Sequence, residues 1–355
     1  MDHELGNKLA ILGRSIGIAT RDAVNALPYD QRGVKVGAIL KKSCPIADAV
    51  GERIAIDYMA TFASRNDLRF GMVVSPKRGE VEYIGSSTKT VYAIADPVDG
   101  TAKVAGLGSD LKNGIYRLGN DGVWGSSIAF TGVTDKIFGD LKVGDFRYAS
   151  ITDGNPRIHS ISPDHAYVQF VDGRATAVEM LERDIRGGKR DDLVDLVTSS
   201  QKTLRQGAIA MDRFQAFSTP GEMGLELSPE ELEVFQKNFK QYLQRVTPVF
   251  NKLENRNNGG AFDIWRAYGS AAEVLCGMIG RKGIIEPQVV ARIALNDELG
   301  NVVPGYALVT AAGGEVVDLN DKPIGEYRLT DDRPDLMAVA NPAIKKAIFE
   351  RLAQD

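Results

Sequence analysis

The fold class that the sequence predicts is α+β in stacked layers, α-β-α-β in order, with a largely antiparallel sheet in its N-terminal half and an α/β arrangement in its C-terminal half. Three observations predict it. Apolar residues recur at mixed three and four spacing up to Phe62, short β-like runs begin at Phe70, and helical and strand-like textures alternate toward the C-terminus.

Leu9, Ile11, Leu12, Ile16, Ile18 and Val24 outline an amphipathic helix over 5–27 that stops before Pro28. A second helix carries Asp48 and Glu52 one turn apart on one face, then Ile54, Ile56, Tyr58, Met59 and Phe62. The ordinary explanation of two such acids is a solvated helix face. Strands are expected at 70–74, 81–84, 91–95, 125–130, 137–143 and 146–151, with the Asp-Gly pairs at 121–122 and 153–154 marking turns. Residues 174–250 return to helical texture, and their last segment opens with Ser228-Pro-Glu-Glu231, a capping box that predicts a helix to about Lys252. The stretches 183–192 and 251–260 have the composition of loops. A helix over 264–278, strands at 284–294, 302–310 and 315–318, and a last helix over 342–352 complete the chain. The halves are expected to divide near 150–170, giving units 1–155 and 156–355, the second with a helical insertion at about 174–255.

With 355 residues and 43% hydrophobic content, the chain can build a sizeable core. A net charge of −4 supplies no basic field for nucleic acid or an anionic membrane, so neither is an expected partner. The acidic start with a short apolar run is unlike a signal peptide, and nothing approaches a membrane span, so a cytoplasmic location is expected. Cys44 and Cys276 form no CxxC, and His3, His159 and His165 have no paired-ligand spacing. No GxSxG elbow accompanies a histidine base. Chemistry therefore rests on carboxylates, hydroxyls and backbone.

The run Val91–Ala95 ends in Asp96-Pro97-Val98-Asp99-Gly100-Thr101. A strand ending in two acids three apart, with Pro fixing the turn and Gly freeing it, can aim both carboxylates at one point. Hard oxygen ligands of this kind suit Mg²⁺, which also accepts phosphate oxygens. Gly100 and Thr101 would offer backbone N–H groups and a hydroxyl to phosphate. The same pattern, Asp-Pro-x-Asp-Gly, is also what a plain type I turn prefers.

This segment resembles the DPxDGT signature of the inositol monophosphatase and fructose-1,6-bisphosphatase superfamily, which is lithium-sensitive and Mg²⁺-dependent. Asp48-Ala-Val-Gly-Glu52 is similar to that family's D-x-x-x-E helix, and Ser126–Phe130 with Ile137–Val143 to the strands after its signature. Arg266–Ala272 resembles its R-x-x-G-S-A-A turn, Leu308–Gly314 its L-I-x-E-A-G-G, and Leu336–Asn341 its terminal strand. Taken singly, Gly-Ser-Ala-Ala is a small-residue packing patch and Gly313-Gly314 a turn; their order and spacing make the likeness specific.

The resemblance implies a layered sandwich of the inositol monophosphatase type and a phosphoric monoester hydrolase acting on a small phosphorylated metabolite, a polyol or sugar phosphate, with one to three Mg²⁺ ions. It implies Asp48 and Thr101 as the water-activating dyad; Asp96, the Val98 carbonyl, Asp99 and the position of Asn301 as metal ligands; and Gly100, Thr101, Arg266, Ser270 and Ala271 as phosphate or substrate contacts. A homodimer is a further expectation. Lys103 fits ordinary surface charge better than a substrate contact.

Two departures qualify the pattern. Family members carry an acid or acid pair about twenty residues before the signature, where this chain reads Phe70-Gly-Met-Val-Val-Ser75; Glu80 and Glu82 are the nearest substitutes. Counting back from Gly313-Gly314 puts Asn301 at an aspartate ligand, with Asp297 as the substitute if a short insertion intervenes. Asn offers a neutral oxygen and weakens a divalent site. Three functions stay open: an inositol-phosphatase-like monoesterase, a fructose-1,6-bisphosphatase-type enzyme, and a phosphate-binding regulatory protein without turnover.

Overall fold

Leu9, Leu12 and Ile16 form one apolar stripe on α1 (His3–Ala26), and Ala55, Met59 and Ala63 form another on α2 (Ile46–Asn66). Both stripes cover the same sheet face, meeting Phe70, Met72, Val91, Ala93, Ile128, Phe130 and Tyr148. In this computed structural model the described residues are 3–28, 31–32, 34–38, 44–75, 80–99, 125–153, 166–171, 174–179, 192–212, 228–254, 263–267, 278–281, 287, 289–295, 299–331 and 334–353.

That sheet has nine strands among the described residues. Its strands are β3 (Arg69–Ser75), β4 (Glu80–Ile84), β5 (Thr90–Asp99), β6 (Gly125–Thr131), β7 (Phe146–Asp153), β8 (Ala166–Val171), β9 (Arg174–Glu179), β10 (Asp192–Thr198) and β13 (Ile279–Arg281). They lie in the order β13-β10-β9-β8-β7-β6-β5-β3-β4, antiparallel except for the β3–β5 pair. A small hairpin of β1 (Lys35–Val36) and β2 (Cys44–Pro45) precedes α2. A second sheet contains β11 (Ala208–Asp212), β12 (Asp263–Ala267), β14 (Val289–Ala294), β15 (Glu315–Asp318) and β16 (Leu336–Val339), ordered β12-β11-β14-β16-β15. Here β12, β11 and β14 run parallel.

Three further helices are described: α3 (Pro229–Glu254), α4 (Leu299–Ala311) and α5 (Pro342–Leu352). Leu299, Val302, Val303, Ala307 and Leu308 of α4 share one core with Ile94, Ala129 and Ile151 of the large sheet and Ala210, Ala294 and Ala338 of the small one. The helix is thus sandwiched between sheets. On the outer face of the small sheet, Val246 and Leu253 of α3 and Ile344 and Ile348 of α5 cover Ile209, Ile293 and Met337. The expected α-β-α-β order is present, and α3 with α5 adds a closing layer.

Five sequence expectations change. The run 302–310 is helix, not strand: buried on nearly every side between two sheets, it shows no polar face from which period could be read. Within 174–212 the described segments 174–179, 192–198 and 208–212 are strands, with one 3₁₀ turn at Leu204–Gln206; Leu193, Val194, Leu196 and Val197 have helix-like spacing, but pairing with β9 and β13 decides for a strand. The expected strand 137–143 is replaced by two short 3₁₀ turns, Phe138–Asp140 and Val143–Asp145, separated by Leu141 and Lys142, with the buried Leu141 side chain between them. The helix expected from 264 begins as a strand, because Ile264 and Trp265 pair with Ile209 and Ala210; residues 268–277 lie outside the described residues. Finally, β5 continues through Asp99 instead of ending at Ala95. The capping-box helix starts at Pro229 as expected, with the Ser228 carbonyl accepting from the Leu232 N–H at 2.8 Å, and ends at Glu254.

The turn after β15 is organised by Asp318, 6% exposed, whose carboxylate accepts from the Asn320 and Lys322 N–H groups at 2.8 Å and the Tyr327 hydroxyl at 2.7 Å. Burial pushes its carboxyl up, but these hydrogen bonds outweigh it and leave it below the usual aspartate range. Its contribution is therefore present above the ordinary aspartate value and lost as pH falls through the lowered folded one. Asp318→Asn should cost about 1–3 kcal/mol at neutral pH and flatten the acid side of the stability profile, read by urea unfolding across pH.

Candidate active site

Proline has no N–H for a ladder, so a strand that runs through Asp96-Pro97-Val98-Asp99 must break register there. On β6 the partners step from Ser127, opposite Asp96, to Gly125, opposite Asp99, so three steps on β5 match two on β6. This is a β-bulge, which bends the strand and re-aims its residues. A regular strand would give positions 96 and 99 opposite parity; the extra residue restores position 99 to the parity of position 96.

The bulge is held from the helical layer. Val98 packs with Val24 of α1 and Ala47 of α2 in a small buried cluster. One turn on, Gly51 approaches so closely that a Cβ there would lie 2.7 Å from Pro97 Cβ, 3.0 Å from Thr20 Cγ2 and 3.2 Å from Val98 Cγ2. The α2 turn carrying Asp48 and Glu52 is thereby seated on the segment carrying Asp96. Asp48 is half-buried, whereas Glu52 is only 4% exposed, so this acid does not belong to a solvated face. Asp48 and Glu52 continue toward the helix start the stripe that Ala55 and Met59 press onto the sheet.

On the other face, Tyr92 and Ile94 belong to the core that contains α4, and position 96 shares their parity on β5. Asn301 occupies the first turn of α4, between buried Gly300 and Val302. The start of α4 therefore lies in the layer covering that face of β5. Tyr92 is no base: burial first, and its hydroxyl's contact with Tyr83 second, push its phenol up to about 12.

The remaining predicted residues fall in three groups. Glu80 and Glu82 sit exposed on β4, the edge strand, opposite Ser75 and Met72; β3 intervenes, so they stand two strand spacings, roughly 10 Å, from β5. Arg266 is near the carboxyl end of β12, with the parallel ends of β11 and β14 beside it, the end of an α/β sheet where ligands bind. Gly100, Thr101, Lys103, Ser270, Ala271 and Asp297 lie outside the described residues, and of Asp99, Arg266 and Asn301 the backbone alone is described. Among the described residues, no three His, Cys, Asp or Glu side chains gather in a metal-holding group. The hard-oxygen set of Asp48, Asp96 and the Val98 carbonyl nevertheless fits Mg²⁺ in kind. Thr20, whose methyl faces Gly51, has a buried hydroxyl oxygen without a hydrogen-bond partner in the described structure, as do Ser150 and Thr152 on β7.

Sequence reasoning missed Gly51 as part of this site and took Glu52 with Asp48 as a pair on one face. Residue spacing could have placed both acids on the sheet-facing stripe. Nothing in the sequence marks Gly51, because its role arises from a contact with residues far along the chain.

No family profile and no curated protein sequence matches the chain. Solved structures do. The extragenic suppressor protein suhB of Bartonella henselae superposes with a TM-score of 0.55 at 13% identity, covering 97% of each chain. An inositol monophosphatase from Zymomonas mobilis gives 0.55 at 12% identity over 98% of each chain. Fructose-1,6-bisphosphatase of Leishmania major gives 0.56 at 10%, covering 98% of this chain and 92% of that one. The shared property is the fold, and it extends over nearly the whole chain. No helix among the described residues is long and apolar enough to cross a membrane.

Val98→Ala removes two methyl groups from the cluster that clamps the bulge and should cost about 1–3 kcal/mol in urea unfolding. An unchanged unfolding midpoint would mean that the segment is not anchored through Val98.

Proposed function

On the fold of inositol monophosphatases and fructose-1,6-bisphosphatases, we propose that this chain is a Mg²⁺-dependent phosphomonoesterase for a small polyol or sugar phosphate. The observation that carries this reading is the contact of Gly51 with Pro97, which seats the Asp48–Glu52 turn on the Asp96–Asp99 bulge. Two acid-bearing segments far apart in sequence converge where a strand is broken. Burying a carboxylate, as at Glu52, costs free energy unless a cation or donors compensate, and buried acids of this kind are often found at functional sites.

Asp96, the Val98 carbonyl and Asp99 would hold the metal, with Asn301 as a neutral oxygen ligand or Asp297 in its stead. Bound there, Mg²⁺ would neutralise charge on the transferred phosphoryl group and the leaving oxygen. Asp48, paired with the Thr101 hydroxyl, would orient a water molecule and accept its proton as the water oxygen bonds phosphorus and the ester P–O bond breaks. The leaving alkoxide takes a proton from solvent. Backbone N–H groups at Gly100 and Thr101 would cradle the phosphate, while Arg266, Ser270 and Ala271 would line the substrate side. Glu80 and Glu82, two strands away, fit a first metal shell poorly; Glu52, buried beside Asp48, is the stronger acid to add to the site.

The Leishmania major likeness favours a sugar bisphosphatase as the alternative substrate class. Asn301 at a position where the resemblance expects a carboxylate favours a second reading, a phosphate-ligand-binding protein without turnover. A phosphate-release screen over sugar, polyol and nucleotide phosphates, with and without Mg²⁺ and Li⁺, separates the three. Release from a polyol or sugar monophosphate that requires Mg²⁺, is inhibited by Li⁺ and is abolished in Asp96→Asn is the expected result. Undiminished release in Asp96→Asn would contradict the enzyme reading, and ligand-induced stabilisation without release would favour the binding protein.

A further inference from the structure

We propose that Gly51 is a positioning residue, whose missing side chain sets the separation between the acid-bearing turn of α2 and the Asp96–Asp99 bulge. The proposal rests on the reading of Asp96 and the Val98 carbonyl as Mg²⁺ ligands with Asp48 beside them. A Cβ at position 51 would stand 2.7 Å from Pro97 Cβ, closer than side chains pack. Pro97 cannot rotate away, because its ring fixes the atom to the backbone. Thr20 Cγ2, at 3.0 Å, belongs to a β-branched residue that is 0% exposed, so its alternative rotamers are also blocked. Either α2 or the bulge must move.

Both movements reach the site. Asp48 is one turn before Gly51 and Glu52 follows it directly, so a shift of α2 carries both acids. A shift of the bulge carries Asp96 and the Val98 carbonyl. The contact is specific to this end of the fold: Gly6, where a Cβ would meet the Tyr148 ring at 2.5 Å, is equally crowded but packs where β7 begins, at the end of the β6–β7 pair away from the bulge.

The test compares Gly51→Ala with Gly6→Ala by thermal unfolding of the whole chain over a Mg²⁺ series, with kcat and KM measured separately. The metal-free melting temperature reports packing; the half-saturating Mg²⁺ reports the site. Gly51→Ala should raise half-saturating Mg²⁺ by about tenfold or more, the size expected when groups supporting metal ligands are disturbed, and should lower kcat more than it raises KM. Gly6→Ala should lose melting temperature and keep the wild-type Mg²⁺ response. Thr20→Ser in the Gly51→Ala background removes the Cγ2 contact, gives α2 room to settle and should recover part of the Mg²⁺ response; it also serves if Gly51→Ala alone does not fold. An unchanged half-saturating Mg²⁺ in both position-51 variants, beside a wild type that responds, overturns the positioning role and leaves the metal-site reading intact. A wild type that does not respond to Mg²⁺ overturns both.

Discussion

Pro97 cannot donate the hydrogen bond that an antiparallel ladder asks of it, and the consequences of that one missing N–H spread through the site. Because β5 and β6 must skip a residue, the strand bends at Pro97-Val98 and position 99 regains the parity of position 96. A bend of this kind is stable only if something packs against it. Val24, Ala47 and Gly51 do so from two helices, and the same helical turn brings Asp48 and Glu52 with it. Apolar packing, not attraction between like charges, holds the acid-bearing turn of α2 against the bulge.

The layers explain why this end of the sheet is available for chemistry. α1 and α2 cover one face of the large sheet, and α4 lies against the other while also supporting the small sheet. Strand β5 is therefore packed on both faces, by α1 and α2 on one side and by α4 on the other, and its broken end is held against the first turns of α2. The carboxyl ends of β11, β12 and β14 belong to the small sheet, and Arg266 is placed there. Rigid elements rather than long loops thus carry Asp48, Asp96, Arg266 and Asn301, the arrangement that the proposed metal and phosphate chemistry would require.

Much of this is legible in the chain. Apolar spacing marks α1 and α2 to within a few residues, the capping pattern at Ser228 marks the start of α3, and Asn341-Pro342 marks α5, where the Asn341 side chain accepts from the Ala343 and Ile344 N–H groups. The motif at 96–101 and its partner at 48–52 stand out because few arrangements place two acids beside a proline at a strand end. What escapes is whatever depends on neighbours. Residues 302–309 are almost wholly apolar because they are buried between sheets, so no period betrays their helix. The doublets Leu193-Val194 and Leu196-Val197 suit a helix locally and a strand only once β9 and β13 are in place. Glu52 passes for a surface acid until the sheet is laid against it, and Gly51 is silent without Pro97.

Whether the bulge at Asp96–Val98 binds a divalent cation is tested most directly by anomalous diffraction from a crystal of the protein grown with Mn²⁺ in place of Mg²⁺. A metal peak within coordination distance of the Asp96 carboxylate and the Val98 carbonyl is the predicted result. Occupied Mn²⁺ elsewhere with none at the bulge would contradict it.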